Sequence, residues 1–172
     1  MANPTMTLIG SPIVVGSGGV SSITFSSIPS TYTDLGLKLS ARTNTTGVVD
    51  SASIKFNGDT TLANYTGKRL YGDGSAATSD SNSNPGPFTT GAGCTASTFG
   101  NSEVYIPNYA GSNKKSTSYD MTAETNATTA YVGFDANLWS GTAAITTITL
   151  TPELGSSFVQ YSTFYLYGIN NS

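Results

Sequence analysis

The sequence predicts an all-β fold, an antiparallel, jelly-roll-like β-sandwich of about eight to ten strands. Three observations support this prediction. Apolar and polar residues alternate with a period of two, Gly- and Asn-rich turns separate the alternating stretches, and helical periodicity is almost absent. Because no helices are available to cover a parallel sheet, we expect the strands to pair in antiparallel fashion.

The segment 34–42 shows the alternation most clearly. Leu35, Leu37 and Leu39 fall on one face of an extended chain, and Lys38 falls on the other. This pattern is typical of a half-buried strand. The same reasoning identifies eleven candidate segments for the strands, in chain order 7–15 with a break at Pro12, 21–26, 34–42, 52–56, 65–71, 94–99, 103–109, 116–123, 129–137, 144–150 and 158–169.

One stretch lacks the character of a strand. Residues 72–93 are rich in Gly, Ser and Asn, and Phe88 is the one large apolar side chain that stands out among them. We expect a long exposed loop here, either a ligand-contacting loop or a tolerated insertion. Because strand patterns continue on both sides and no internal repeat is found, residues 1–172 are predicted to form a single domain.

The composition excludes several classes of function. Ser, Thr, Gly and Asn make up nearly half of the chain, charged residues make up 10%, and histidine is absent. Neither a Ser-His-Asp triad nor a His-ligated metal site can form without His, and one cysteine cannot form an intrachain disulfide. The net charge of −3 and the pI near 4.6 argue against a nucleic-acid-binding protein. No apolar run is long enough for a transmembrane helix.

The last predicted strand carries apolar or aromatic residues on both faces. Phe164 and Leu166 share one parity, and Tyr161, Tyr165 and Tyr167 share the other. Such a strand either lies centrally in the sandwich or has its outer face covered by another subunit. Because Tyr is enriched at protein interfaces, we predict Tyr161, Tyr165 and Tyr167 as subunit-interface residues.

Few side chains offer reactive chemistry. The carboxylates occur mainly in turn contexts such as Asn-Gly-Asp, so we predict no catalytic residues and no cofactor. An isolated Ca²⁺ bound by Asp73 and Asp80 is conceivable, although the spacing does not match an EF-hand and no metal site is predicted. Tyr71, at the edge of the predicted loop, and Trp139, just before a turn, are candidates for stacking on a sugar ligand.

Several segments together resemble a known class of proteins. They are ITFSSIPSTYTDL at 23–35, IKFNGDT at 54–60, Asn64-Tyr65, LYGDG at 70–74 and FYLYGI at 164–169. Together they resemble β-rich virion proteins of tailed bacteriophages, especially marine and cyanobacterial ones. The resemblance implies a compact β-sandwich, often trimeric, that occurs at the tips of tail fibres or as a free-standing capsid decoration protein. None of its motifs is a catalytic signature.

The resemblance therefore implies a structural virion protein rather than an enzyme. The leading hypothesis is a homotrimeric capsid decoration, or cement, protein that binds the major capsid protein and braces the outside of the shell. The alternative is a receptor-binding tail-fibre tip or a small tail subunit that recognises a host surface glycan. An initiating Met without a secretory signal fits assembly in the host cytoplasm and a final location on the virion surface. No nucleic acid or membrane partner is expected.

Overall fold

The chain is an antiparallel β-sandwich, as the alternation predicts. The structure, a computed structural model, describes residues 5–126 and 129–170. These residues form a one-turn 3-10 helix, Leu62–Asn64, and thirteen strands: β1 (Met6–Leu8), β2 (Ile13–Val14), β3 (Ile23–Phe25), β4 (Asp34–Ala41), β5 (Val49–Phe56), β6 (Tyr65–Gly72), β7 (Ala77–Asn82), β8 (Phe88–Thr90), β9 (Gly100–Ile106), β10 (Lys115–Ala123), β11 (Tyr131–Trp139), β12 (Ile148–Pro152) and β13 (Thr163–Ile169).

Two sheets share these strands. The larger sheet has nine strands in the order β1-β13-β4-β9-β10-β11-β6-β7, and β2 pairs with β13 beside β1. The smaller sheet has four strands in the order β3-β12-β5-β8. Every pairing between named strands is antiparallel. The larger sheet therefore has an inner face that packs on the smaller sheet and an outer face that no element of the described chain covers.

The space between the sheets is filled by apolar side chains. Strand β4 illustrates why the sequence folds this way, since Leu35, Leu37 and Leu39 are at most 1% exposed while Lys38 points to the outer face. Burying one such side chain contributes about 1.5–3 kcal/mol. Other members of the core are Ile54, Phe56, Ile148, Leu150, Phe158, Phe164 and Leu166.

The segment 72–93 differs from the predicted exposed loop, because two strands lie within it. Strand β7 forms an exposed hairpin arm beside β6. Strand β8 pairs with β5 and is buried, with Phe88 at 5% exposure. The Pro87 carbonyl accepts a hydrogen bond from the Ala52 amide. A Cβ on Gly86 would lie 2.6 Å from the Ala52 carbonyl oxygen, so glycine permits this close approach.

The predicted strand at 94–99 is wrong, because turns occupy these positions. Arg42 is buried beside them, and its guanidinium donates hydrogen bonds to the carbonyl oxygens of Ala92, Cys94, Thr95 and Thr98. These carbonyls therefore bond to an arginine side chain rather than to a neighbouring strand.

The short strands also explain why the described residues contain more strands than the predicted eight to ten. The break at Pro12 divides the first predicted strand into β1 and β2, which both pair with β13. Strands β7 and β8 supply the others, since each lies in a stretch whose composition is typical of loops.

Candidate functional site

A cleft of about 260 Å³ lies between the two sheets and contains Tyr71, one of the predicted ligand-contact residues. Strands β6, β7 and β11 of the larger sheet form one side of it. Strands β5 and β8 of the smaller sheet, with the segment after β12, form the other. The residues that line it are Val49, Asp50, Ser51, Arg69, Tyr71, Asp80, Phe88, Tyr131, Glu153 and Leu154.

Three aromatic rings pack together at this cleft. The ring centroids of Tyr71 and Phe88 are 6.2 Å apart, those of Phe88 and Tyr131 are 5.9 Å apart, and those of Tyr71 and Tyr131 are 6.2 Å apart. Phe88 is buried, whereas Tyr71 and Tyr131 are half-buried. Neither tyrosine hydroxyl has a hydrogen-bond partner within residues 5–126 and 129–170. Two aromatic side chains with free polar tips are thus available to a ligand.

Arg69 bears the positive charge of the cleft, and a buried carboxylate compensates it. Its Nε donates to Asp135 Oδ1 at 3.0 Å and its Nη2 to Asp135 Oδ2 at 3.2 Å. The Asp135 side chain is fully buried, and this burial raises the pKa of its carboxyl group despite the opposing effect of Arg69. The guanidinium carbon also lies 4.8 Å from the centroid of the Phe88 ring. Arg69 is therefore held in place by the protein itself.

Three carboxylates line the cleft, and they differ in the number of hydrogen bonds that they accept from the protein. Asp50 accepts hydrogen bonds from the Thr43 hydroxyl and from the amides of Leu154 and Gly155, so it holds the segment after β12. Glu153 accepts one from the Asn84 side-chain amide at 3.2 Å. Asp80 is exposed on β7, and the described part of the chain offers its carboxylate no hydrogen bond or ion pair.

Trp139, the other predicted ligand-contact residue, lies in the core of the protein. Its side chain is 4% exposed and its ring packs 5.5 Å from Phe56, centroid to centroid. The indole Nε1 donates a hydrogen bond to Asp59 Oδ2 at 2.8 Å. A Cβ on Gly141 would lie 2.2 Å from the indole ring, so the following turn covers that side. The alternating pattern of β11 continues through Trp139 and places it inward.

The three tyrosines predicted at a subunit interface occupy two different settings. Tyr161 lies in the turn before β13, with φ of 73° and 68% of its surface exposed. Tyr165 and Tyr167 lie on β13 and face outward, half-buried, opposite Lys38 and Gly36 of β4. Because β13 is flanked on both sides, it is an interior strand of its sheet. The interface role of these tyrosines stays a prediction.

The sequence reasoning missed a set of exposed apolar residues on the outer face of the larger sheet. Leu70, Val132 and Phe134 are 55%, 49% and 57% exposed. Phe134 lies directly opposite Leu70, and Val132 follows on the same face of β11. We call these three residues the outer-face patch. Its signal was present in the sequence, since Val132 and Phe134 have the opposite parity to the inward residues of β11.

A second, larger groove of about 520 Å³ lies beside the outer-face patch, at β6, β7 and β11. Small polar residues such as Ser81, Ser83 and Ser116 line it, together with Lys68 and Leu138. Its lining offers neither an aromatic ring nor a carboxylate. The smaller cleft therefore carries the more specific chemistry.

Asp73 and Asp80, the residues considered for a Ca²⁺ ion, lie in the turn after β6 and on β7 opposite Arg69. The Asp73 carboxylate accepts hydrogen bonds from the amide and hydroxyl of Ser75 and from the Ala76 amide, and these bonds lower its pKa to about 2. This is a local turn arrangement. Among the described residues, no group of three or more Cys, Asp or Glu side chains is placed to hold a metal ion.

Comparison with known proteins returned no assignment. No known protein-family model matches the chain, and no curated protein matches it significantly. Within the described residues, no helix combines the length and the apolar character that spanning a bilayer requires.

Proposed function

We propose that this chain is a structural protein of a tailed-phage virion, a homotrimeric capsid decoration protein that braces the outside of the shell. The observation that carries the proposal is the uncovered outer face of the nine-stranded sheet, where the outer-face patch exposes three large apolar side chains. Exposed apolar groups clustered on one face are typical of protein interaction surfaces. The main partners would be other copies of this chain and the major capsid protein.

The charges of the outer face support association between protein surfaces. Lys38 and Lys68 face outward together with Asp34, Glu103 and Asp120, so this face carries both signs of charge with an excess of one negative group. Lys38 and Glu103 already form an exposed ion pair at 3.1 Å. A face with such a small excess of charge repels a second copy only weakly. Tyr165 and Tyr167 extend the same face and remain our predicted contacts between subunits.

The first prediction concerns the outer-face patch. Replacing Leu70 and Phe134 together by Thr should abolish trimer formation or binding to stripped capsids, because it removes exposed apolar area while keeping residues that favour strands. Native mass spectrometry measures the first effect. The second is measured by adding the variant back to stripped particles and following their resistance to heat.

Leu62→Thr provides the matched control, since Leu62 is 50% exposed but lies in the 3-10 helix before β6 rather than on the sheet. The control should assemble like the original chain. Normal assembly of the double variant, or a copy number of only about a dozen per virion, would contradict the decoration role.

The cleft favours a second candidate function, a receptor-binding tail-fibre tip or small tail subunit. The half-buried Tyr71 and Tyr131 rings could contact a ligand on the host surface. Labelled protein that stains host cells, with loss of staining in a Tyr71→Leu variant, would support this role. Labelled protein that leaves host cells unstained would argue against it.

A further inference from the structure

The cleft at Tyr71 and Tyr131 combines aromatic rings with an excess of carboxylates. We propose that it binds an organic cation, the guanidinium or ammonium group of a basic side chain that another protein presents. This inference does not rest on the virion role, because it follows from the residues that line the cleft.

The charges of the cleft are unbalanced. Asp50, Asp80 and Glu153 line it with a single cation, Arg69, whose charge is already compensated by Asp135. Asp50 and Glu153 have neutral hydrogen-bond donors as partners, and the Lys55 ammonium group also attracts Glu153. Asp80 has neither a hydrogen bond nor an ion pair in the described chain. A carboxylate near a low-dielectric wall attracts a cation more strongly than one surrounded by water. The missing partner of the cleft is therefore a positive charge.

The aromatic rings favour the same class of ligand. A cation above the face of a Tyr or Phe ring is attracted by the ring quadrupole. This fold already makes two such contacts internally, with Arg69 at 4.8 Å from the Phe88 centroid and Lys55 Nζ at 4.5 Å from the Tyr65 centroid. The rings of Tyr71 and Tyr131 are tilted by 43° to each other. Both rings line the same cleft as Asp80, so a third cation there would find both a ring and a counter-ion.

The size and the rim of the cleft fit a side chain. A volume of about 260 Å³ lies below the usual range for drug-sized ligands and suits one flexible side chain. Leu154, which is 72% exposed, and Val49 supply apolar surface at the rim. The methylene groups of Lys or Arg pack on such surface while the charged group reaches a polar partner.

A neutral sugar fits the cleft less well. Sugar recognition needs several polar groups that are free to bond to hydroxyls. Asp50 and the Nε and Nη2 groups of Arg69 already bond within the protein, and one oxygen of Glu153 bonds to Asn84. Of the charged groups that line the cleft, the Asp80 carboxylate is the one without a hydrogen bond or ion pair in the described chain, which favours a ligand defined by its charge.

The test is NMR titration of the full-length chain with small probes. Nα-acetyl-L-arginine amide should shift the resonances of the cleft and saturate at roughly millimolar concentration. Nα-acetyl-L-citrulline amide has nearly the same shape without the charge, and it should not bind. Asp80→Asn and Tyr131→Leu should each weaken binding of the arginine probe by about three- to tenfold. Raising the salt concentration should also weaken it.

Asp120→Asn is the matched control, because Asp120 is equally exposed but lies on the outer face of β10. It should bind the arginine probe normally. Equal binding of the citrulline probe, an unchanged affinity in Asp80→Asn, or no saturable shift at all would overturn the proposal. If the cleft clearly prefers glucosamine to the arginine probe, the proposal that the cation belongs to a protein side chain is wrong. Trimer formation and capsid binding are measured separately, so failure here leaves the decoration role standing.

Discussion

Asp59 joins the turn after β5 to the core. Its Oδ2 accepts hydrogen bonds from the Trp139 indole and from the Asn64 side chain, each at 2.8 Å, and its Oδ1 accepts one from the Thr61 amide. Its backbone carbonyl accepts a further bond from the Tyr65 hydroxyl. The bond from Trp139 is the largest cause of a lowered pKa, which falls from 3.8 to about 2. Asp59 thus orients two aromatic side chains of the core, Trp139 through its carboxylate and Tyr65 through its backbone carbonyl.

The free energy of unfolding should depend on pH in a way that shows the contribution of the Asp59 carboxylate. Because the folded pKa of Asp59 is about 2 and its ordinary value is 3.8, the charged form stabilises the fold above pH 3.8. That contribution is lost as the pH falls through the folded pKa. Asp59→Asn should therefore lower the free energy of unfolding at neutral pH, and the difference from the original chain should shrink towards pH 2. Urea unfolding across this range measures it. An equal deficit at every pH would mean that the charge of Asp59 does not contribute.

Strands with one buried and one exposed face were predictable from the sequence. In β10, Thr117, Tyr119 and Met121 are buried and alternate with exposed Ser118 and Asp120, so the parity of the residues is enough to orient the strand. The same pattern located β4, β9 and β11. Their partners and order follow from contacts between distant segments, which parity does not report.

The elements that sequence reasoning missed depend on partners far along the chain. Strand β8 forms where β5 offers a free edge, and the turns at 94–98 form around the guanidinium of Arg42. The cleft also depends on contacts between distant segments. Tyr71 could be recognised from the sequence because it lies beside a predicted loop, but Tyr131 and Asp80 come near it only because β6 pairs with β11 and β7. Local composition carries no information about such contacts.

We expect the guanidinium group of Arg42 to hold the turns at 94–98 in their conformation. Replacing Arg42 by Met leaves the carbonyls of Ala92 and Cys94 without this donor, whereas the Thr95 carbonyl keeps the amide and hydroxyl of Thr98. A buried unpaired carbonyl such as that of Cys94 costs about 1–3 kcal/mol. Cys94 is buried in the original chain and its thiol donates to the Val48 carbonyl. We expect the Cys94 thiol of Arg42→Met to react faster with Ellman's reagent while circular dichroism still reports a folded sheet.

Arg69→Met is the control for loss of a partly buried arginine elsewhere, since Arg69 pairs with Asp135 and makes no hydrogen bond to these turns. The Cys94 thiol should stay protected in that variant as long as it remains folded. If Arg42→Met leaves the thiol equally protected, the turns hold their conformation without the guanidinium.

The two sheets explain why the chain is rich in Thr and Ser and poor in charged residues. Thr and Ser occupy outward positions of strands such as β7 and β10, where they tolerate both solvent and a neighbouring protein. Within residues 5–126 and 129–170 there are two ion pairs, the exposed Lys38–Glu103 pair and the buried Arg69–Asp135 pair. Packing of the apolar core and the backbone hydrogen bonds of the sheets therefore supply most of the stability.

This balance predicts a fold whose stability depends little on salt. An exposed ion pair contributes about 0–1 kcal/mol, and the net charge of −3 produces little repulsion across the chain. Raising NaCl from about 10 mM to about 500 mM shortens the Debye length from roughly 30 Å to less than 10 Å. We expect the free energy of unfolding to change by less than about 1 kcal/mol over this range. Glu103→Gln, which removes the exposed pair, should behave in the same way. A large loss of stability on adding salt would contradict this prediction. It would mean that attractive surface charges stabilise the fold far more than the one exposed ion pair of the described residues can.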